Sequence, residues 1–518
     1  MRQNKVGEQN YFRLFGHFSI ALVLLGTTAF GESFSEFKSQ QTKAYQKYRD
    51  ERDNAFAGYL KEQWKAYQKY VSASLYEKPK PKIIPKAKPK PVVPKGPKVY
   101  IKVKPLPKKD DFVVQKDRKK TDPSELANKE AMKEQLRELQ KKKQQVVVAP
   151  KPVEVKKDIE FDFFGAKVGF DIPDGIKKAK FYPTNQQGIT NYFNAVASSE
   201  YDVLLDEIKD TKEKLRLNDW GLYLLVEKLG TKIYPYVDEA RLFEWFVFNK
   251  LGYKVKVALA NNRVITMFYS KKIIYSTPNF RFNKERYYVL SHYNKRGLGV
   301  VYSYPKNYPG AKKSFDLSLK EIPNLPADYK EKTTHFTFEH KRYDVSYKYN
   351  KNLIDFFATY PQADYKSFFN AAVDDVTYES LATSLKRYIN GKRASEAMNL
   401  VLAFVQKGFK YQTDQQQFGR EKVMFVEETL HYPACDCEDR AILYSFLVKR
   451  LFEVPVLGIK YPNHMATALY IPLSGDSIKI KGRRFVVADP TYINAQIGRA
   501  MPQFRGKLPK EFILVTLK

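Results

Sequence analysis

The sequence predicts an α+β protein whose folded C-terminal part follows a long N-terminal helix and a disordered Lys/Pro linker. Three observations carry that prediction. Aromatic residues recur every eleven positions between 33 and 70; residues 78–109 hold 12 Lys and 9 Pro with no acid; and beyond residue 153 apolar helical runs alternate with short strands rich in Tyr, Phe and Val. The chain has 518 residues, 43% of them hydrophobic and 15% aromatic, which is enough for real cores and excludes a wholly disordered protein. Its two cysteines, Cys435 and Cys437, exclude a disulfide framework and a four-cysteine zinc site.

The formal charge of +33 is spread along the chain, +17 within residues 1–150 and +16 in the remainder. Such a balance suits nucleic acid, anionic lipid or an anionic envelope polymer, and charge alone does not choose. The N-terminus supplies an address. Arg2, Lys5 and Arg13 precede a short apolar run over 18–30, which ends in Ala29-Phe30-Gly31 and turns polar. This reads as a secretory signal peptide over 1–31, with an uncleaved anchor as the alternative, since the run is shorter than a bilayer span needs. Export to the periplasm or cell envelope makes nucleic acid an unsuitable partner.

Residues 32–77 carry the repeat. Phe34 and Phe37, Tyr45 and Tyr48, Phe56 and Tyr59, and Tyr67 and Tyr70 take the second and fifth places of successive eleven-residue units. Eleven residues over three turns keep these rings on one helix face with little drift. The stripe calls for a partner: self-association as a coiled coil, docking on the protein's own folded part, or a separate envelope protein. Residues 78–157 form the linker. Its Lys/Pro stretch favours polyproline II and would reach on the order of 100 Å, either as a tether with affinity for anionic envelope polymer or lipid headgroups, or as a spacer. A basic helical pattern with Leu126, Met132, Leu136 and Leu139 follows over 124–145.

Three folded regions are expected: an α/β domain over 158–270, a β-rich module over 271–352 and a second α/β domain over 353–518. The first contains helical patterns at 201–217, 220–229 and 240–251, then strands at 253–260 and 263–269. In the module, Pro305, Pro309, Pro323 and Pro326 mark turns between short alternating strands.

The chemistry-bearing residues cluster in the last hundred positions. Asp436 stands at an N-cap, with Asp439 completing an Asp-x-x-Asp capping box, so Cys437 falls in the first turn of a helix. There the free backbone N–H groups and helix dipole are expected to lower a thiol pKa. His464 begins a strand, and Asp489 ends another just before Pro490. In that order the parts fit a nucleophile, a general base and an acid that orients the base. The other histidines, His17, His292, His335, His340 and His431, show no metal-ligand spacing, so no metal and no cofactor is expected.

With the phrase Phe404-Val405-Gln406-Lys407-Gly408-Phe409-Lys410-Tyr411, the Cys437-Glu438-Asp439-Arg440-Ala441 block and Ala488-Asp489-Pro490-Thr491-Tyr492, residues 394–498 resemble the transglutaminase-like superfamily of papain-type cysteine enzymes. The resemblance implies Cys437 as nucleophile, His464 as base and Asp489 as orienting acid. Cys435, where the family often has glycine, is the competing nucleophile. The Cys437 backbone N–H is one oxyanion donor, and Gln406 and Tyr411 are candidates for the second.

Residues 239–260 echo residues 439–460, with Val237 at the cysteine position and Arg263 near the histidine. The first domain is therefore read as a degenerate copy without catalytic groups, the other reading being two unrelated helix–strand pairs. Functionally the implied protein is an exported thiol enzyme tethered near the envelope. It would be a cysteine peptidase or amidase attacking a peptide or isopeptide bond of a polypeptide through a thioester, or a protein-glutamine acyltransferase if an amine is the acceptor. The alternative is a non-catalytic scaffold or peptide-binding protein of the same fold.

Overall fold

A computed structural model describes residues 34–63, 68–77, 80–82, 84, 86–87, 156–292 and 298–516. The signal peptide over 1–31, the basic helix over 124–145 and most of the Lys/Pro linker lie outside the described residues. The mixed α+β class holds, with helices and several sheets. Residues 1–52 and 53–518 are separate compact units.

The repeat forms the helix Phe34–Gln63 as its period demands. In the first unit Tyr45 and Tyr48 are exposed, and the Arg52 guanidinium lies over the Tyr48 ring. The end of the helix that belongs to the second unit is buried there: Phe56 packs edge-on against Phe193 and Tyr308, and Asp53 pairs with Lys250 and accepts from Tyr201 at 2.7 Å. The third repeat thus docks on the protein's own core. The fourth departs from the helix, because Gln68–Val71 is a strand on the edge of a sheet, paired with Val300–Ser303.

Two antiparallel sheets are built to one plan. The first runs Gln68–Val71, Val300–Ser303, Val255–Ala260, Arg263–Tyr269, Glu285–Tyr288, Asn279–Phe282. The second runs Glu511–Leu514, Val456–Tyr461, His464–Leu469, Arg483–Ala488, Ser477–Ile480. Apart from the added edge strand, order and connections are the same: a helix leads into a hairpin, a second hairpin folds back beside it, and a last strand joins the other side. The leading helices, Val237–Lys250 and Cys437–Phe452, each pack on their own hairpin and on a preceding helix, Asp219–Ile233 or Ala394–Lys407. Both are buried on nearly all sides, which explains their almost continuous apolar sequences.

The strands expected to form a β-rich module over 271–352 do not make a separate module. Asn279–Phe282, Glu285–Tyr288 and Val300–Ser303 complete the first sheet, whereas Tyr329–Phe338 and Lys341–Asn350 form a hairpin laid on the helix Asp375–Ile389. Alternation alone could not distinguish strands of one sheet from strands of another, since either offers one buried face.

The helix that leads into the first sheet buries an acid of its own. Glu244 is fully enclosed and accepts from the Thr266 hydroxyl at 3.1 Å. Burial pushes its carboxyl up to about 7, aided by Glu227 and opposed by Arg241. A carboxyl raised in the fold keeps its proton while the unfolded chain loses its own, so the contribution to stability is full below about pH 4.5 and declines until about pH 7. Glu244→Gln abolishes that decline. Urea denaturation should show the variant gaining up to ~3 kcal/mol on wild type between pH 4.5 and 7.5; a pH-independent difference would contradict this.

Candidate active site

Cys437 is the first residue of the helix Cys437–Phe452, where the sequence puts it. The capping arrangement is in place on its reciprocal side, with Asp439 Oδ2 accepting from the Asp436 backbone N–H at 3.1 Å. Asp439 Oδ1 accepts from the Met424 N–H at 2.8 Å and ties the preceding loop to the helix start. Arg440, fully buried, donates to the Gln406 and Phe409 carbonyls at 3.1 and 2.9 Å, fastening this helix to the end of Ala394–Lys407.

His464 is the first residue of its strand, and Asp489 follows directly on the neighbouring strand Arg483–Ala488. Their side chains meet in the interior, His464 Nε2 to Asp489 Oδ2 at 2.9 Å. The other carboxylate oxygen accepts the Thr491 and Tyr492 backbone N–H groups at 2.9 and 3.1 Å, a turn that Pro490 favours. This leaves Asp489 one direction in which to act, toward the imidazole. Phe504 lies parallel to the His464 ring at 5.1 Å and Tyr461 stacks beyond it, fixing the ring plane. The His464 strand packs along the Cys437 helix.

The thiol differs from the sequence-based expectation. Cys437 Sγ donates to Glu438 Oε2 at 3.1 Å, and the group is 1% exposed. Burial, then the carboxylates of Glu438 and Asp436, push its pKa well above the ordinary thiol value, with Lys80 opposing them. The helix start therefore does not produce a thiolate in this arrangement, because desolvation and two adjacent acids outweigh the dipole. Cys435 is also a free thiol, raised to about 11 chiefly by burial. It lies in a two-residue bridge with Tyr411, before the helix begins.

Acidic groups crowd this helix start. Burial and the charges of Glu438, Asp414 and Asp439 push Asp436 well up. Its carboxyl is hydrogen-bonded to that of Glu438. Glu438 goes the other way: burial raises it, but Lys80 and its hydrogen bonds hold it down at about 2. Carboxylates of Asp414, Asp436 and Asp439, or of Asp414, Glu421 and Glu438, come close enough to share a cation.

That Lys80 belongs to the Lys/Pro stretch, 358 positions from its partner. Its ammonium pairs with Glu438 and donates to the Tyr365 hydroxyl at 3.2 Å. The described part of that stretch is thus bound to the C-terminal domain rather than extended away from it.

Of the two candidates for a second oxyanion donor, Gln406 is otherwise engaged. Its amide donates to the carbonyls of Asp489, Tyr492 and Ala495 at 2.9–3.0 Å and so holds the loop that carries Asp489. Tyr411 does present a donor to a carbonyl, that of Pro81, at 2.8 Å. Glu438, Phe504, Tyr365 and Lys80 were missed by sequence reasoning. An acid directly beside a helix-start cysteine was the one local signal available.

No protein family, curated protein or solved structure matches this chain.

Replacing Gln406 by Ala leaves the Ala495 carbonyl without its donor and the Asp489 and Tyr492 carbonyls with one backbone donor each, and should cost on the order of 2 kcal/mol in denaturant unfolding. The loss should be accompanied by faster amide exchange at Thr491 and Tyr492, whose N–H groups depend on the Asp489 turn. A stability loss with unchanged exchange there would show that Gln406 does not hold the Asp489 loop.

Proposed function

We propose that the C-terminal domain is a transglutaminase-like thiol enzyme that attacks an amide or ester carbonyl of a polypeptide through Cys437. The observation that carries this reading is the buried 2.9 Å contact between His464 and Asp489 at the ends of adjacent strands, beside a helix that begins with a cysteine. A carboxylate that spends its second oxygen on backbone N–H groups and its first on an imidazole is arranged to orient a base.

In the reaction, His464 takes the Cys437 proton as sulfur attacks the carbonyl, and the imidazolium is steadied by Asp489. The tetrahedral oxyanion faces the Cys437 backbone N–H and the Tyr411 hydroxyl. Collapse expels the amine, which leaves with the proton from His464, and a thioester remains on sulfur. Water, or an amine, then discharges it. Hydrolysis is favoured because, once the covering segment has moved off, water far exceeds any amine at the thioester. The first copy, with Val237, Arg263 and Val289 at the places of Cys437, His464 and Asp489, serves as scaffold. We also keep export and envelope association, on the N-terminal pattern, as part of this proposal.

A second reading has its own support. The thiol is neutral, capped by Glu438 and covered by the chain itself, as suits a peptide-binding scaffold that does no chemistry. Labelling separates the two. Iodoacetamide at pH 7.5 should modify Cys437, mapped by peptide mass, at least tenfold more slowly in His464→Ala than in wild type, with Cys435 unmodified in both. Equal rates would favour the scaffold.

A further inference from the structure

The chain crosses its own site. Leaving the edge of the first sheet, it bonds Ala73 to Asn279 and gives the Leu75 carbonyl to the Ser276 N–H at 2.7 Å. Glu77 then takes a 2.9 Å contact from Lys460, Lys80 reaches Glu438, and the Pro81 carbonyl accepts from Tyr411. Further on, the Ala87 N–H donates to the Ile493 carbonyl at 3.0 Å. Ile84 and Ala87 lie in an apolar cluster with Tyr492, Ala495 and Met501, against which Phe504, the ring stacked on His464, also packs. The path therefore touches the thiol's neighbour, the proposed oxyanion donor, the Asp489 loop and the ring behind the imidazole.

The side chain at its centre is the informative one. The Lys80 side chain is 6% exposed and Glu438 fully buried. Burying an ammonium costs several kcal/mol unless its partners are good, and here they are: the Glu438 carboxylate, the Tyr365 hydroxyl and the Tyr365 ring, 5.7 Å from the nitrogen. The Asp436 carboxyl lies on the same side, hydrogen-bonded to Glu438. Removing Lys80 would leave Glu438 buried without its counter-ion, so an empty pocket demands another cation. The fit is to a long unbranched stem ending in a point charge, carried by an extended main chain whose carbonyl reaches Tyr411.

We propose that the pocket formed by Glu438, Asp436 and Tyr365 is a substrate subsite for a lysine side chain of an extended polypeptide, and that Lys80 fills it in cis as a built-in competitor. This deepens the thiol-enzyme reading and rests on it for the word substrate. It gives the described part of the Lys/Pro stretch a role that composition did not indicate: a segment that lies across the site and imitates what the site accepts. The class of ligand is a lysine-bearing peptide in extended conformation, its lysine placed one residue before the carbonyl held by Tyr411.

The test measures binding without turnover. In full-length chain carrying Cys437→Ser, residues 80–87 are replaced by glycine and serine, and a fluorescein-labelled peptide with the sequence of residues 77–87 is titrated by anisotropy. The opened chain should bind it at least tenfold more tightly than the Cys437→Ser chain with its own segment intact. A peptide with norleucine in place of Lys80 should bind at least tenfold more weakly. Equal affinity for the two chains, or for the two peptides, would overturn the proposal. A second measurement avoids the replaced segment: Lys80→Met in the otherwise intact chain should speed exchange of the Ala87 amide at least tenfold, and an unchanged rate would count against it. Because none of these readouts needs the thiol, they remain informative if Cys437 labelling proves independent of His464. Lysine discrimination would then stand as peptide binding and the enzyme reading alone would fall.

Discussion

At the start of the Cys437 helix, the carboxyl groups of Asp414, Asp436, Glu438 and Asp439 are buried together with a thiol, and the charge has to be balanced there. Lys80 supplies a cation from a distant segment, whereas Arg440 on the helix itself donates to the Gln406 and Phe409 carbonyls. The remaining acids respond as desolvated neighbours must. Glu438, paired with Lys80, stays ionised, while Asp436 and Asp439 are raised, Asp439 to about 7. The state of the thiol follows from the same balance. With an ionised Glu438 accepting a hydrogen bond from its S–H and burial nearly complete, Cys437 is held as the thiol. An open cleft would change each of these terms, since water would replace the segment and the ammonium would leave.

The rest of the scaffold fixes where the second half of the site stands. Two sheets of the same strand order each place a helix start, a strand start and a strand end in corresponding positions. With the first sheet these are Val237, Arg263 and Val289, and Arg263 there pairs with Asp238 at 2.9 Å on the surface. The second has Cys437, His464 and Asp489, with Gln406 gathering the carbonyls of the Asp489 loop. One strand plan thus carries two different sets of side chains at these places. The difference lies in a few side chains and in the acids around the second helix start.

Much of this was legible in the sequence because it is local. Apolar helix patterns, strand alternation and the positions of Cys437, His464 and Asp489 on their elements follow from short-range periodicity and capping. An echo between two helix–strand pairs pointed to the two sheets of like strand order, although the echo alone could not give that order. What was not legible depends on distant pairing. Glu438 beside Cys437 reads as an ordinary acidic first turn until Lys80 is brought to it from 358 positions away. The Lys/Pro composition describes a free chain in water and carries no information about a groove that receives it. The fourth aromatic repeat likewise gave way to tertiary context, since Gln68–Val71 gains a ladder with Val300–Ser303 that a helix could not make. No helix among the described residues is long and apolar enough to cross a membrane.

The central claim is that Cys437 becomes covalently acylated with His464 as its base. Intact-protein mass spectrometry after rapid mixing with an activated thioester of a lysine-containing peptide tests it most directly. The account predicts an adduct of the acyl mass on Cys437 that hydroxylamine removes, forms at least a hundredfold more slowly in His464→Ala, and is absent in Cys437→Ser. No adduct on the wild-type chain, or one formed as quickly without the imidazole, would contradict it.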